Sequence, residues 1–137
     1  MATRSRIIVE QEDGTFRSIY CHWDGYPDHN GALLVNHYQD QEKCNQLMDL
    51  GDLSSLDENI GDEIDFNDDE LREENKQCLS YKRDRKEPNT DGKVYQTKRF
   101  NTTMGEEYLY LKEIGKDWMV AYAHSQQFSD LKHLVGE

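Results

Sequence analysis

An Asp-Gly pair set between two β-branched and aromatic runs fixes how this chain begins to fold. Arg6-Ile7-Ile8-Val9-Glu10 and Phe16-Arg17-Ser18-Ile19-Tyr20-Cys21-His22-Trp23 flank Glu12-Asp13-Gly14-Thr15. Glycine takes the positive φ of a tight hairpin turn without steric cost, so the two runs read as antiparallel strands. Alternation places Phe16, Ser18, Tyr20 and His22 on one face and Arg17, Ile19, Cys21 and Trp23 on the other. A lone hairpin is only marginally stable in water. A second pair of runs, Glu107-Tyr108-Leu109-Tyr110-Leu111-Lys112 and Trp118-Met119-Val120-Ala121-Tyr122-Ala123, turns at Gly115 and predicts a second hairpin.

Between the hairpins the hydrophobic period changes. Leu33, Leu34, His37 and Tyr38 are spaced by three and four, which predicts a helix over 31–38 with Asp28 or Asn30 as its N-cap. A second helix is expected over 40–50, with Asp40 as N-cap, Cys44, Leu47 and Met48 as its buried stripe and Gly51 at the C′ position. Ser125 would cap a final helix carrying Phe128, Leu131, Leu134 and Val135. The expected fold class is α+β: one domain over 1–137, with a small antiparallel sheet from two hairpins, short helices packed on one face and a charged, acidic insertion at about 57–105.

That insertion sets the electrostatics. Ten acids (Asp57, Glu58, Asp62, Glu63, Asp65, Asp68, Asp69, Glu70, Glu73 and Glu74) stand against Arg72 alone in 57–75, a local charge of −9. Residues 76–99 carry eight bases and three acids, a local +5. The acidic stretch holds only Ile60, Ile64, Phe66 and Leu71 as apolar anchors. It reads as a loop or a lightly docked helix over 68–75 capped by Asp65 or Asn67, followed by a short strand at 78–82 and turns at 87–93. The whole chain carries a net charge of −12 at 35% hydrophobic residues. Such a sign argues against direct nucleic-acid binding, because affinity for phosphate comes from Lys and Arg. No apolar run is long enough for a membrane span and no signal-peptide core is present. Three cysteines at unrelated spacings read as reduced thiols of a cytosolic protein.

Chemistry-bearing residues concentrate in 20–29. Tyr20, His22, Trp23, Asp24, Tyr26 and His29 could form a ligand or partner pocket. Cys21 and His22 are neighbours on a strand and point to opposite faces, which disfavours a shared metal ion or a Cys-His nucleophile. The acidic run resembles calcium loops twice, but the glycine is misplaced or missing and the twelfth positions, Asp68 and Lys76, lack the bidentate Glu. No catalytic residue, cofactor or metal is therefore assigned. An enzyme reading would centre on His22, Asp24 and His29 as a small nucleotide hydrolase or nuclease.

Residues 3–56, with Ser18-Ile19-Tyr20-Cys21-His22-Trp23-Asp24-Gly25-Tyr26-Pro27, His37-Tyr38 and Leu50-Gly51-Asp52-Leu53-Ser54-Ser55-Leu56, resemble a group of small proteins encoded by tailed bacteriophages and prophages. The ending, Glu107 to Leu111 and Asp117 to Ala121, is similar too. The resemblance implies an accessory protein acting in the host bacterial cytoplasm; by analogy, since small acidic phage proteins frequently block restriction, CRISPR or transcription machinery by occupying a nucleic-acid site, it implies an inhibitor of that kind. The expected function is thus a non-enzymatic interaction protein whose partner is a host protein with a basic nucleic-acid-binding surface. The ten acids and Phe66 would form the binding surface as a mimic of a phosphate backbone. The alternative is a ligand or nucleotide pocket at 20–29. Sheet edges favour homo-oligomers and the charge opposes them.

Overall fold

A computed structural model describes residues 3–131. Its strands are β1 (Ser5–Glu10), β2 (Phe16–Cys21), β3 (Leu53–Ser55), β4 (Leu79–Ser80), β5 (Lys93–Tyr95), β6 (Tyr108–Lys112), β7 (Met119–Tyr122) and β8 (Ser129–Asp130). Among the described residues these form one eight-stranded sheet in the order β4-β3-β2-β1-β6-β7-β8, with β5 also paired to β2. The helices are α1 (Ala32–His37), α2 (Gln41–Asp49), α3 (Asp69–Asn75) and α4 (Tyr81–Arg85), and a π-turn over Pro27–Gly31 leads into α1. The fold is α+β, with a mostly antiparallel sheet.

The two hairpins do share one sheet, but they join in parallel rather than antiparallel. β1 lies between β2 (Ser5 opposite Cys21, antiparallel) and β6 (Ser5 opposite Tyr108, parallel). Ile7, Val9, Ile19, Cys21 and Tyr110 therefore face α1 and α2 and pack with Leu34, Cys44, Leu47, Met48 and Trp118. Trp118 Nε1 donates to the Tyr38 carbonyl at 2.7 Å, and the Tyr38 hydroxyl donates to the Asp57 carbonyl at 2.6 Å, so the polar tips of these two large rings of the core are satisfied.

The second face is covered too, by irregular chain. Phe100 meets Phe16, Tyr95 and Phe128 edge-on, with centroids 5.5, 5.3 and 6.1 Å away. Beside it Arg6 and Glu106 form a fully buried ion pair at 2.7 Å, and Arg6 also donates to Ser18 Oγ.

Local chemistry places most elements. Asp40 accepts from the Lys43 amide and starts α2, and Gly51, at φ +74°, ends the segment. Other expectations are corrected. Neither Asp28 nor Asn30 caps α1: Pro27 starts the π-turn, and the Asn30 amide bonds Cys21 Sγ and the Trp23 carbonyl. The α3 cap is Asp68, which accepts from Leu71 N, rather than Asp65 or Asn67. The strand expected at 78–82 stops after Ser80, because the Ser80 hydroxyl accepts from Arg83 N and opens α4. Ser125 caps no helix; its hydroxyl bonds back to the Tyr122 carbonyl, and Ser129–Asp130 pair with β7. Leu134 and Val135 lie outside the described residues.

Candidate functional site

The acidic stretch is pinned to the sheet edge at several points. Asn59 N donates to the Lys76 carbonyl and Cys78 N to the Asn59 carbonyl, which ties the two ends of 59–78 together. Gln77 Nε2 donates to the Asp62 carbonyl at 2.7 Å over Gly61, where a Cβ would lie 2.6 Å from the Gln77 side chain. Arg83 reaches the carbonyls of Ile60, Gly61 and Cys78, and the buried Asp84 carboxylate accepts from Ile64 N and Ser80 N. Phe66 is turned inward: it stacks on Tyr81 at 5.6 Å, with the Arg85 guanidinium 5.3 Å from its ring centroid.

What remains outside is a ridge of carboxylates. Asp62, Glu63, Asp65, Asp68, Asp69, Glu70, Glu73 and Glu74 are exposed, while Asp57 and Glu58 are half-buried. Among the described residues the following basic segment reaches these acids with one ion pair, Lys86 to Glu63 at 2.7 Å. Arg72 lies 3.8 Å from both Asp69 and Glu73, and Glu58 faces His37 at 3.6 Å. Lys82 pairs with Asp91 and Arg85 with Glu87, away from the ridge. Asp62, Asp65, Glu70 and Glu74 have no cationic partner among the described residues.

The aromatic turn is spread over several surroundings. Tyr20 is buried, and its hydroxyl lies 2.7 Å from His22 Nδ1. Burial pushes the Tyr20 hydroxyl up to about 12 and, with Arg4 nearby, holds His22 below its ordinary value, so the phenol donates to a neutral imidazole. Tyr20 lines a cleft of about 300 Å³ with Asp52, Tyr81 and Arg85. Burial also raises the Cys21 thiol to about 12, which keeps it protonated and unreactive. Trp23 packs edge-on against His22 at 4.8 Å and remains 44% exposed. Asp24 turns the chain at φ +57°, and Gly25 N donates to the Thr3 carbonyl, so close that a Cβ would meet that oxygen at 2.7 Å. His29 Nδ1 donates to Asn30 Oδ1 at 2.9 Å. Tyr26 lines a different cleft, on the β7 side. Two contributors were not singled out as site residues: Asp52, which lies in the 50–56 motif and whose carboxylate accepts from Tyr20 N, and Arg83, which the sequence marks only as one of a basic run.

Among the described residues no group of three or more His, Cys, Asp or Glu side chains converges for a metal ion, and no helix is long and apolar enough to cross a membrane. No protein-family model, curated protein or solved structure matches the chain.

Proposed function

We propose that this chain is a phage-encoded, non-enzymatic interaction protein that acts in the host bacterial cytoplasm. Its acidic ridge occupies the nucleic-acid-binding surface of a host protein, such as a restriction, CRISPR or transcription component. The observation that carries this reading is the disposition of the neighbouring bases. Arg83 is engaged by backbone carbonyls and Asp84, Arg85 by Phe66 and Glu87, and Lys82 by Asp91, so the segment that could neutralise the ridge largely does not. A pinned row of carboxylates, of which Asp62, Asp65, Glu70 and Glu74 have no cationic partner among the described residues, offers a basic groove the sign of a phosphate backbone without a large ordering cost on binding. Exposed Trp23 supplies an apolar anchor on a neighbouring strand connection, where its amide donates to the Ser54 carbonyl.

The test is capture of host proteins with wild-type chain and with a variant carrying Asn or Gln at Asp62, Asp65, Asp69, Glu70, Glu73 and Glu74; Asp68 is kept because it caps α3. The captured protein should bind nucleic acid, DNA or RNA should displace the chain from it, and affinity should fall as salt rises past about 0.1 M, where screening acts within about 10 Å. An unchanged affinity and salt dependence in the folded variant rejects the ridge.

A second reading draws on the Tyr20–His22 pair beside the Asp52 cleft, a pocket for a small polar ligand or nucleotide. Loss of biological effect in His22→Ala with capture intact would favour it.

A further inference from the structure

A cleft lies at the opposite end of the sheet from the ridge. It has a volume of about 500 Å³ and is lined by Tyr26 and Asp28 from the π-turn region and by Tyr108, Val120, Tyr122 and Ser129, among others, from β6 to β8. Tyr108 and Tyr122 are register partners across β6 and β7, their ring centroids 5.3 Å apart at 33°. Tyr122 is 57% exposed and Tyr26 40% exposed, so ring surface is open to a ligand. Asp28 is exposed and has no hydrogen-bond or ionic partner among the described residues, and no Lys or Arg is among the described residues that line the cleft.

Aromatic faces beside an unpaired carboxylate attract a cation, through the ring quadrupole and through direct charge. A guanidinium is the better match than an ammonium: it is planar, stacks on tyrosine and meets a carboxylate in a bidentate fork. Burial raises the Tyr108 hydroxyl, and the Glu107 and Asp28 carboxylates push in the same direction, the sign of charge that would repel a phosphate there. The volume exceeds one side chain, which leaves room for flanking peptide.

We propose that this cleft, bounded by Tyr26, Asp28, Tyr108 and Tyr122, is a second binding site that receives an arginine residue of a protein partner. It is independent of the acidic ridge, from which it is separated by the width of the sheet.

The experiment is an NMR titration of the full chain with N-acetyl-glycyl-arginyl-glycine amide and with the isosteric, neutral N-acetylated citrulline peptide. The arginine peptide should move the amide signals of residues 26–28, 108 and 120–122 saturably, and the citrulline peptide should bind about fivefold more weakly or less. Asp28→Asn, at an exposed site with no hydrogen-bond or ionic partner among the described residues, should fold normally and weaken the arginine peptide by about fivefold; Tyr122→Ala should act in the same direction. Equal binding of the two peptides, shifts confined to 57–74, no saturable shift at all, or tighter binding of a single-stranded oligonucleotide to the cleft would each overturn the assignment.

Discussion

Replacing Asp84 by alanine removes the carboxylate that fastens the ridge to the sheet edge. Its fully buried side chain accepts from Ser80 N at 2.8 Å, Ile64 N at 3.1 Å and Arg83 Nε at 2.9 Å. Asp84→Ala leaves both amides without an acceptor, at about 1–3 kcal/mol each. Arg83 loses its counter-charge but keeps the carbonyls of Ile60, Gly61 and Cys78. Relief of the buried carboxylate's desolvation works against these losses. The expected net cost is about 3 kcal/mol, a large share of a domain's usual stability of roughly 5–15 kcal/mol. Urea unfolding followed by tryptophan fluorescence should show a lower midpoint at an unchanged slope. Hydrogen exchange at Ile64 and Ser80 should speed up about a hundredfold, the rate equivalent of that energy. A loss below about 1 kcal/mol, with Ile64 exchange unchanged, would refute the fastening role.

Gly25→Ala places a methyl 2.7 Å from the Thr3 carbonyl and 2.8 Å from Ser5 Cβ, so the turn has to shift, and urea unfolding should show a loss of about 1–3 kcal/mol; an unchanged midpoint would contradict this. Asp52 is held above the ordinary carboxylate range, chiefly by burial. Just above that range the native state keeps a proton the unfolded chain has lost, so this group's contribution to stability falls as pH rises through the window and then levels off. Asp52→Asn keeps an acceptor for Tyr20 N and should remove that slope from a series of unfolding midpoints between about pH 4 and 6; an identical slope in both proteins would count against it.

Features written in neighbouring residues were legible in the sequence. The Asp40 cap, the Cys44, Leu47 and Met48 stripe and the turn at Asp13-Gly14 need only a few residues to be understood, and each stands where the pattern puts it. Long-range pairing was not legible. Nothing around Ser5 or Tyr108 announces that these residues lie side by side in parallel. Nothing beside Arg6 marks it as buried, because its partner Glu106 is a hundred residues away. The acidic stretch reads as a loop or a lightly docked helix over 68–75, and the helix is present; what pins the stretch escaped for a related reason, since backbone carbonyls and one Arg83–Asp84 pair leave no hydrophobic pattern. Of the candidate pocket at 20–29, alternation separated Tyr20 and His22 from Cys21 and Trp23, but the assignment of Tyr20 and Tyr26 to different clefts depends on β6 and β7.

The parallel seam between β1 and β6 also has a consequence for biosynthesis. A chain made from its N-terminus delivers β1 and β2 together, yet the other edge of β1 waits for residues 108–112. At roughly 5–20 residues per second, that edge is bare for about 5–20 s after β2 has been made. During this interval Ile7 and Ile8 stand beside unsatisfied amides and carbonyls, a template that a second nascent chain could use. The period of greatest exposure to aggregation therefore falls on the translating ribosome, before the last third of the chain has closed the sheet.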